Sequence, residues 1–165
     1  AIAKGYGIDV IADFITSKGI NNYLVDIGGD MRTSGINKES KKGWRVGIED
    51  PNFDGSKSYS KAITLTNKGM ATSGTYRKFK VDDSGNRYAH IINTKTGYPT
   101  KTDVLSVSVI APNAILADGY ATTFQAMGVE ETKTFLNTHP ELQVHFIYLD
   151  DNNALLALSL NGFPE

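Results

Sequence analysis

The stretch Asn113-Ala-Ile-Leu-Ala-Asp-Gly-Tyr-Ala-Thr-Thr-Phe-Gln-Ala-Met127 reads as a helix with both ends marked. Pro112 precedes it, Asn113 is a capping residue, and Gly128 is placed to end it. Ile115, Leu116, Phe124 and Met127 offer apolar contacts. Asp118 and Thr122 lie four apart, so their oxygens share one face with Ala114, Ala117 and Ala121. A carboxylate beside a hydroxyl, on a face with nothing bulky to shield it, suits a hard cation such as Mg2+. A plain structural role, with Asp118 as a charge favoured by the helix dipole, fits the same pattern.

The helix is fed by a strand in which Leu105, Val107 and Val109 alternate with Ser106 and Ser108. Upstream, short apolar runs at Tyr23 to Ile27, Met31 to Ile36, Trp44 to Ile48, Ala62 to Leu65 and Tyr88 to Ile92 are separated by turn-rich stretches. Another strand starts at Met70 and is interrupted by Ser73-Gly74, where a bulge or a close ligand is expected. Asp82 to Asn86 reads as a surface hairpin turn. Downstream, Glu130 to Asn137 reads as a helix, and Leu142 to Leu149 and Ala154 to Leu160 as paired strands. Near the start, Ile8, Ile11, Ala12 and Ile15 have helical spacing and Gly19 ends the segment. The order predicts an α+β fold: a mostly antiparallel sheet with helices packed on one side.

The 165 residues carry a formal net charge of −1, which gives no reason to expect a nucleic-acid partner. With no cysteine, disulfides and thiolate metal sites are excluded. No apolar run approaches the ~20 residues of a membrane span. Ala1 already belongs to a patterned segment, so the chain reads as one portion, residues 1–165, of a longer protein.

Other residues invite chemistry. Lys4 lies between Ala1 and two glycines, Gly5 and Gly7, near a helix start whose free N–H groups suit a phosphate; because the glycine spacing is neither Walker nor Rossmann, the pattern alone favours a solvated lysine in a frayed first turn. Gly28-Gly29 reads as close backbone packing. Ser73 has the hydroxyl of a nucleophile but no Gly-x-Ser-x-Gly elbow around it. His90, followed by the tight Thr96-Gly97 turn, is the best-placed of the three histidines for a general base; His139 and His145 read as packed residues.

Three segments in this order and spacing resemble one family. They are Ala-Ile-Ala-Lys-Gly-Tyr at 1–6, Ala-Thr-Ser-Gly-Thr-Tyr at 71–76 with His-Ile-Ile-Asn-Thr-Lys-Thr-Gly-Tyr-Pro at 90–99, and Ala-Asp-Gly-Tyr-Ala-Thr at 117–122. Gly28-Gly29-Asp30 and the Ser106 to Pro112 stretch also match. The family is ApbE, the FAD:protein FMN transferases once described as thiamine-biosynthesis lipoproteins, and the resemblance covers its C-terminal portion.

The resemblance implies a T-fold-like architecture and Mg2+-dependent transfer of FMN from FAD to a threonine or serine hydroxyl of an acceptor flavoprotein, with AMP released. Hydrolysis of FAD to FMN and AMP, and flavin binding without catalysis, are the alternatives. It implies Asp118 and Thr122 as side-chain metal ligands, joined by the carbonyls of Ala1 and Ala121. Lys4 is implied at the flavin nucleotide, His90 as base and Ile92 on the flavin site, with Ser73, Gly74 and Tyr76 nearby. It also implies a periplasmic protein at the outer face of the cytoplasmic membrane, anchored by a lipid outside this chain, and a portion inactive without the remainder. Two departures stand out: Asn93-Thr94 replaces the usual Asp-Pro, and Gly119-Tyr120 replaces Ala-Leu between the two proposed ligands.

Overall fold

The computed structural model describes residues 2–50, 59–75, 79–81, 87–100, 103–150 and 152–165, with the backbone alone at 60, 79–81 and 87–89. Helix α1 (Ala3–Ser17) leads into the β1 (Tyr23–Ile27) and β2 (Asp30–Ser34) hairpin. Among the described residues, strands β3 (Trp44–Glu49) and β4 (Tyr59–Leu65) pair only with each other, as do β6 (Phe79–Val81) and β7 (Arg87–Ala89). Between them runs β5 (Gly69–Gly74). After β8 (Val104–Ala111) come α2 (Ala114–Met127), α3 (Val129–Leu136), β9 (Gln143–Leu149) and β10 (Leu155–Leu160). The main sheet has the order β1-β2-β5-β8-β9-β10, antiparallel at every pairing.

β8 is buried along its whole length. Val107 and Val109 meet Ala117, Ala121 and Phe124 of α2 on one face. On the other, Ile110 joins Met31 and Met70 beneath Val46, Ile48, Ile63 and Leu65 of the β3–β4 hairpin. The face that carries the alternating serines is therefore covered too: Ser106 and Ser108 are buried, and Ser108 Oγ shares a 2.7 Å hydrogen bond with Thr72 Oγ1. Helices lie on one side of the sheet, as the sequence predicts, and a separate hairpin lies on the other.

The two helices α1 and α2 are fastened to each other by carboxylates. Asp9 of α1 accepts from Ala114 N (3.1 Å) and Ile115 N (2.9 Å) at the start of α2, where Asn113 Oδ1 accepts from Leu116 N. Asp118 of α2 in turn accepts from Gly5 N at 3.0 Å, in the first turn of α1. The crossing is so close that a Cβ on Gly5 would lie 2.3 Å from the Ala114 carbonyl oxygen. Arg32 of β2 completes the arrangement, reaching Asp9 at 3.0 Å and Asp13 at 3.1 Å.

Several expectations change. The alanine face of α2 is not open: Ala114, Ala117 and Ala121 are fully buried against α1 and the sheet, because small residues admit close neighbours. No bulge occurs at Ser73-Gly74; β5 keeps register with β8 from Gly69↔Ala111 to Gly74↔Ser106. The strand expected over Tyr88 to Ile92 ends at Ala89, leaving His90 beyond it and Ile92 in an isolated bridge with Pro99. The 82–86 turn lies outside the described residues.

Candidate active site

Strands β2 and β5 pair at only two positions, Met31↔Met70 and Arg32↔Gly69. Beyond them the ladder stops, and the Asp30 carboxylate takes over: its Oδ1 accepts from Thr72 N at 3.3 Å. Just before Asp30 the chain turns through Gly28 (φ +60°) and Gly29 (φ +90°), a left-handed pair that side-chain-bearing residues adopt at a cost. Where the strands part, a cavity of about 890 Å³ opens. It is bounded by the starts of α1 and β2, the end of β5, the middle of α2, and the β3–β4 hairpin.

On the helical side, Lys4 reaches Asp30 Oδ2 at 2.9 Å, so it is tethered rather than frayed. Asp118, 6% exposed, uses Oδ2 on Gly5 N, so an internal carboxylate sits where the sequence suggested a phosphate at the helix start. Thr122 Oγ1 donates to the Asp118 carbonyl (3.3 Å) and lies 3.2 Å from Ser73 Oγ. His90, exposed, also lines the cavity.

Burial raises the Asp30 pKa above the usual carboxylate value. The Lys4 ammonium and the Thr72 N–H act against that rise, and the negative charge of Asp118 adds to it. Asp30 and Asp118 thus repel each other across the cleft, and the Lys4 ammonium offsets part of that repulsion at Asp30.

Lys4, Ser73, Gly74, His90, Asp118 and Thr122, singled out in the sequence, all line this cavity. Ala121 sits in the core and Ile92 is half exposed, and neither is among the lining residues. Ala1 and Tyr76 lie outside the described residues. Sequence reasoning assigned no role to Asp30 or Thr72, nor to the hairpin wall of Arg45, Gly47, Glu49 and Tyr59. The available signal for Asp30 was its position directly after two glycines at a strand start.

The ApbE family model matches residues 1–146. The FAD:protein FMN transferase of Haemophilus influenzae is 38% identical over 159 residues, which is 96% of this chain and 45% of that protein. The Vibrio cholerae FAD:protein FMN transferase is 44% identical over 129 residues, 78% of this chain and 38% of that protein. The solved flavin transferase ApbE from Vibrio cholerae superposes with a TM-score of 0.81 at 37% identity, covering 96% of this chain and 48% of that one. The chain therefore spans somewhat less than half the length of these relatives. With its fold, its motifs and most of its length matched, the chain belongs to the ApbE family.

Proposed function

We propose that the protein of which these residues are part transfers FMN from FAD to a threonine or serine hydroxyl of an acceptor flavoprotein, releasing AMP, with Mg2+ as cofactor. The observation that carries this reading is the convergence of Lys4, Asp30, Ser73, His90, Asp118 and Thr122 on one cavity. The names of the relatives support the class of reaction.

The donor set suits a hard cation: a buried carboxylate and two hydroxyls from Asp118, Thr122 and Ser73, with no sulfur. Among the described residues no three His, Cys, Asp or Glu side chains cluster as a metal cage. That matches an ion which keeps few protein ligands and shares its shell with phosphate oxygens and water. Asp118 and Thr122 would hold it, with the Ala1 and Ala121 carbonyls as further protein oxygens. Bound Mg2+ would supply neutralisation of charge on the diphosphate and on the departing AMP.

The chain's own groups do the rest. Lys4, pinned by Asp30, presents a positive charge to the diphosphate without searching for its position. Asp118 fixes the start of α1 through Gly5 N and so couples the metal position to Lys4 one residue earlier. In the displacement, the acceptor oxygen bonds to the FMN-side phosphorus as the bond from that phosphorus to the bridging oxygen breaks. The electron pair leaves with AMP, and the acceptor proton passes to His90, a general-base contribution of roughly 10²–10⁴-fold. Action on the outer side of the cytoplasmic membrane, with a lipid anchor on the full-length protein, completes the proposal.

The test is intact mass spectrometry of an acceptor domain incubated with the full-length enzyme, FAD and Mg2+. One FMN mass is expected on the acceptor, with a loss of at least 100-fold in rate for Asp118→Ala. Asp118-dependent AMP release without any adduct would replace the reading with FAD hydrolysis. Flavin binding with neither signal would leave a non-catalytic binder.

A further inference from the structure

The β3–β4 hairpin contains one irregularity. Residues pair in step from Trp44↔Leu65 to Ile48↔Lys61, and then Glu49 faces Tyr59, so Ser60 is passed over. In step, position 59 would share the face of Ile63 and Leu65, which are buried beneath the hairpin. The extra residue turns Tyr59 onto the opposite face, the one carrying Arg45, Gly47 and Glu49. All four of these residues line the cavity.

There the Tyr59 ring lies against the bare backbone of Gly47: a Cβ at that position would sit 2.5 Å from Tyr59 Cδ1 and 2.9 Å from Cε1. Gly47 therefore makes room for the ring, although its backbone needs no left-handed conformation. The result is a large aromatic that is 67% exposed inside a cleft. Leaving that much ring in water costs hydrophobic stabilisation, which a stacked partner would recover.

We propose that Tyr59, laid over Gly47, is the platform on which one planar heteroaromatic ring of the dinucleotide stacks. This rests on the flavin reading of the cavity and adds to it a residue that binds ring rather than phosphate. Arg45 and Glu49, on the same face, flank the platform with a donor and an acceptor for the ring's polar edge.

The test is equilibrium binding to the full-length protein with Mg2+, by flavin fluorescence for FAD and FMN and by calorimetry for AMP. Tyr59→Ala is expected to weaken FAD about 5- to 150-fold, the range of aromatic–base stacking. Tyr59→Phe keeps the affinity within about twofold, because the ring and not the hydroxyl does the binding. Gly47→Ala weakens FAD without touching it, by displacing the ring, while thermal midpoints report that the variants are folded. A loss confined to FMN assigns the platform to the isoalloxazine, and one confined to AMP assigns it to adenine; either supports the proposal. Folded Tyr59→Ala that binds FAD like the wild type, or a Tyr59→Phe defect equal to that of Tyr59→Ala, overturns it. Failure of the wild type to bind FAD at all would overturn the flavin reading of the cavity and this proposal with it.

Discussion

Asp30 shows how a single side chain can be kept at the expense of stability. It is 2% exposed, and burial outweighs Lys4 and the Thr72 N–H in setting its pKa above the ordinary 3.8. A carboxylate whose folded pKa is raised binds its proton more tightly in the native state than in the unfolded one. Ionised Asp30 therefore subtracts from stability above its folded pKa, and that cost disappears as the pH falls through the folded pKa toward 3.8. Asp30→Asn is expected to raise the urea midpoint of the metal-free protein near pH 7.5, with the gain shrinking toward pH 4. A lower midpoint at pH 7.5 would contradict it. The same variant unpins Lys4 and is expected to slow FMN transfer, the usual exchange between stability and a working site. Much of the site was legible at this scale, but through joint motifs rather than spacing. Asp118 and Thr122 share α2, but Lys4, Ser73 and His90 come from other parts of the chain, and only the fold brings all five to one cavity. Asp30 and Tyr59 escaped because their roles depend on events no local pattern records: a ladder that stops after two pairs and a strand that gains one residue.

At the level of elements, helices and strands followed from periodicity and punctuation. Gly128 (φ +81°) and Gly19 (φ +78°) stand where the helix stops were expected, and Asn113 caps α2 as its position implies. What periodicity could not show is that α1 and α2 cap one another through Asp9 and Asp118, since each contact spans more than a hundred residues of sequence. The capping makes Asp9 a structural counterpart of Asp118, the proposed metal ligand. Asp9→Ala would strip acceptors from Ala114 N and Ile115 N at a buried helix start and, among the described residues, leave Arg32 with Asp13 alone. The expected loss is about 2–3 kcal/mol, a lost cap plus unsatisfied buried donors. Chemical denaturation measures it; a change below about 0.5 kcal/mol would show that water replaces the carboxylate without penalty. Asp9→Asn, which keeps the acceptor oxygen, should recover part of the loss.

The whole molecule is a sheet clad on both faces by unequal partners. The helices rest on β5 and β8 through the largest core cluster, whereas the β3–β4 hairpin exchanges no ladder hydrogen bonds with the main sheet. It is held by side chains: Val46, Ile48, Ile63 and Leu65 against Met31, Met70 and Ile110, with Trp44 Nε1 donating to the Ser34 carbonyl at 2.9 Å. A unit attached through its side chains can lift while the rest stays folded, since cooperative units open with their own free energies. Amide hydrogen exchange should therefore be slowest in β8 and β9, whose strands are buried on both sides, and faster by at least about tenfold in the β3–β4 ladder. Because the cavity lies between this hairpin and the helical side, a ligand that touches both walls must stabilise the closed arrangement. FAD with Mg2+ is expected to slow exchange in β3 and β4 more than in β8. Equal protection of hairpin and central strands without ligand would mean the molecule opens only as one body. Protection that rises in α1 and α2 but not in the hairpin would place the dinucleotide on the helical wall alone.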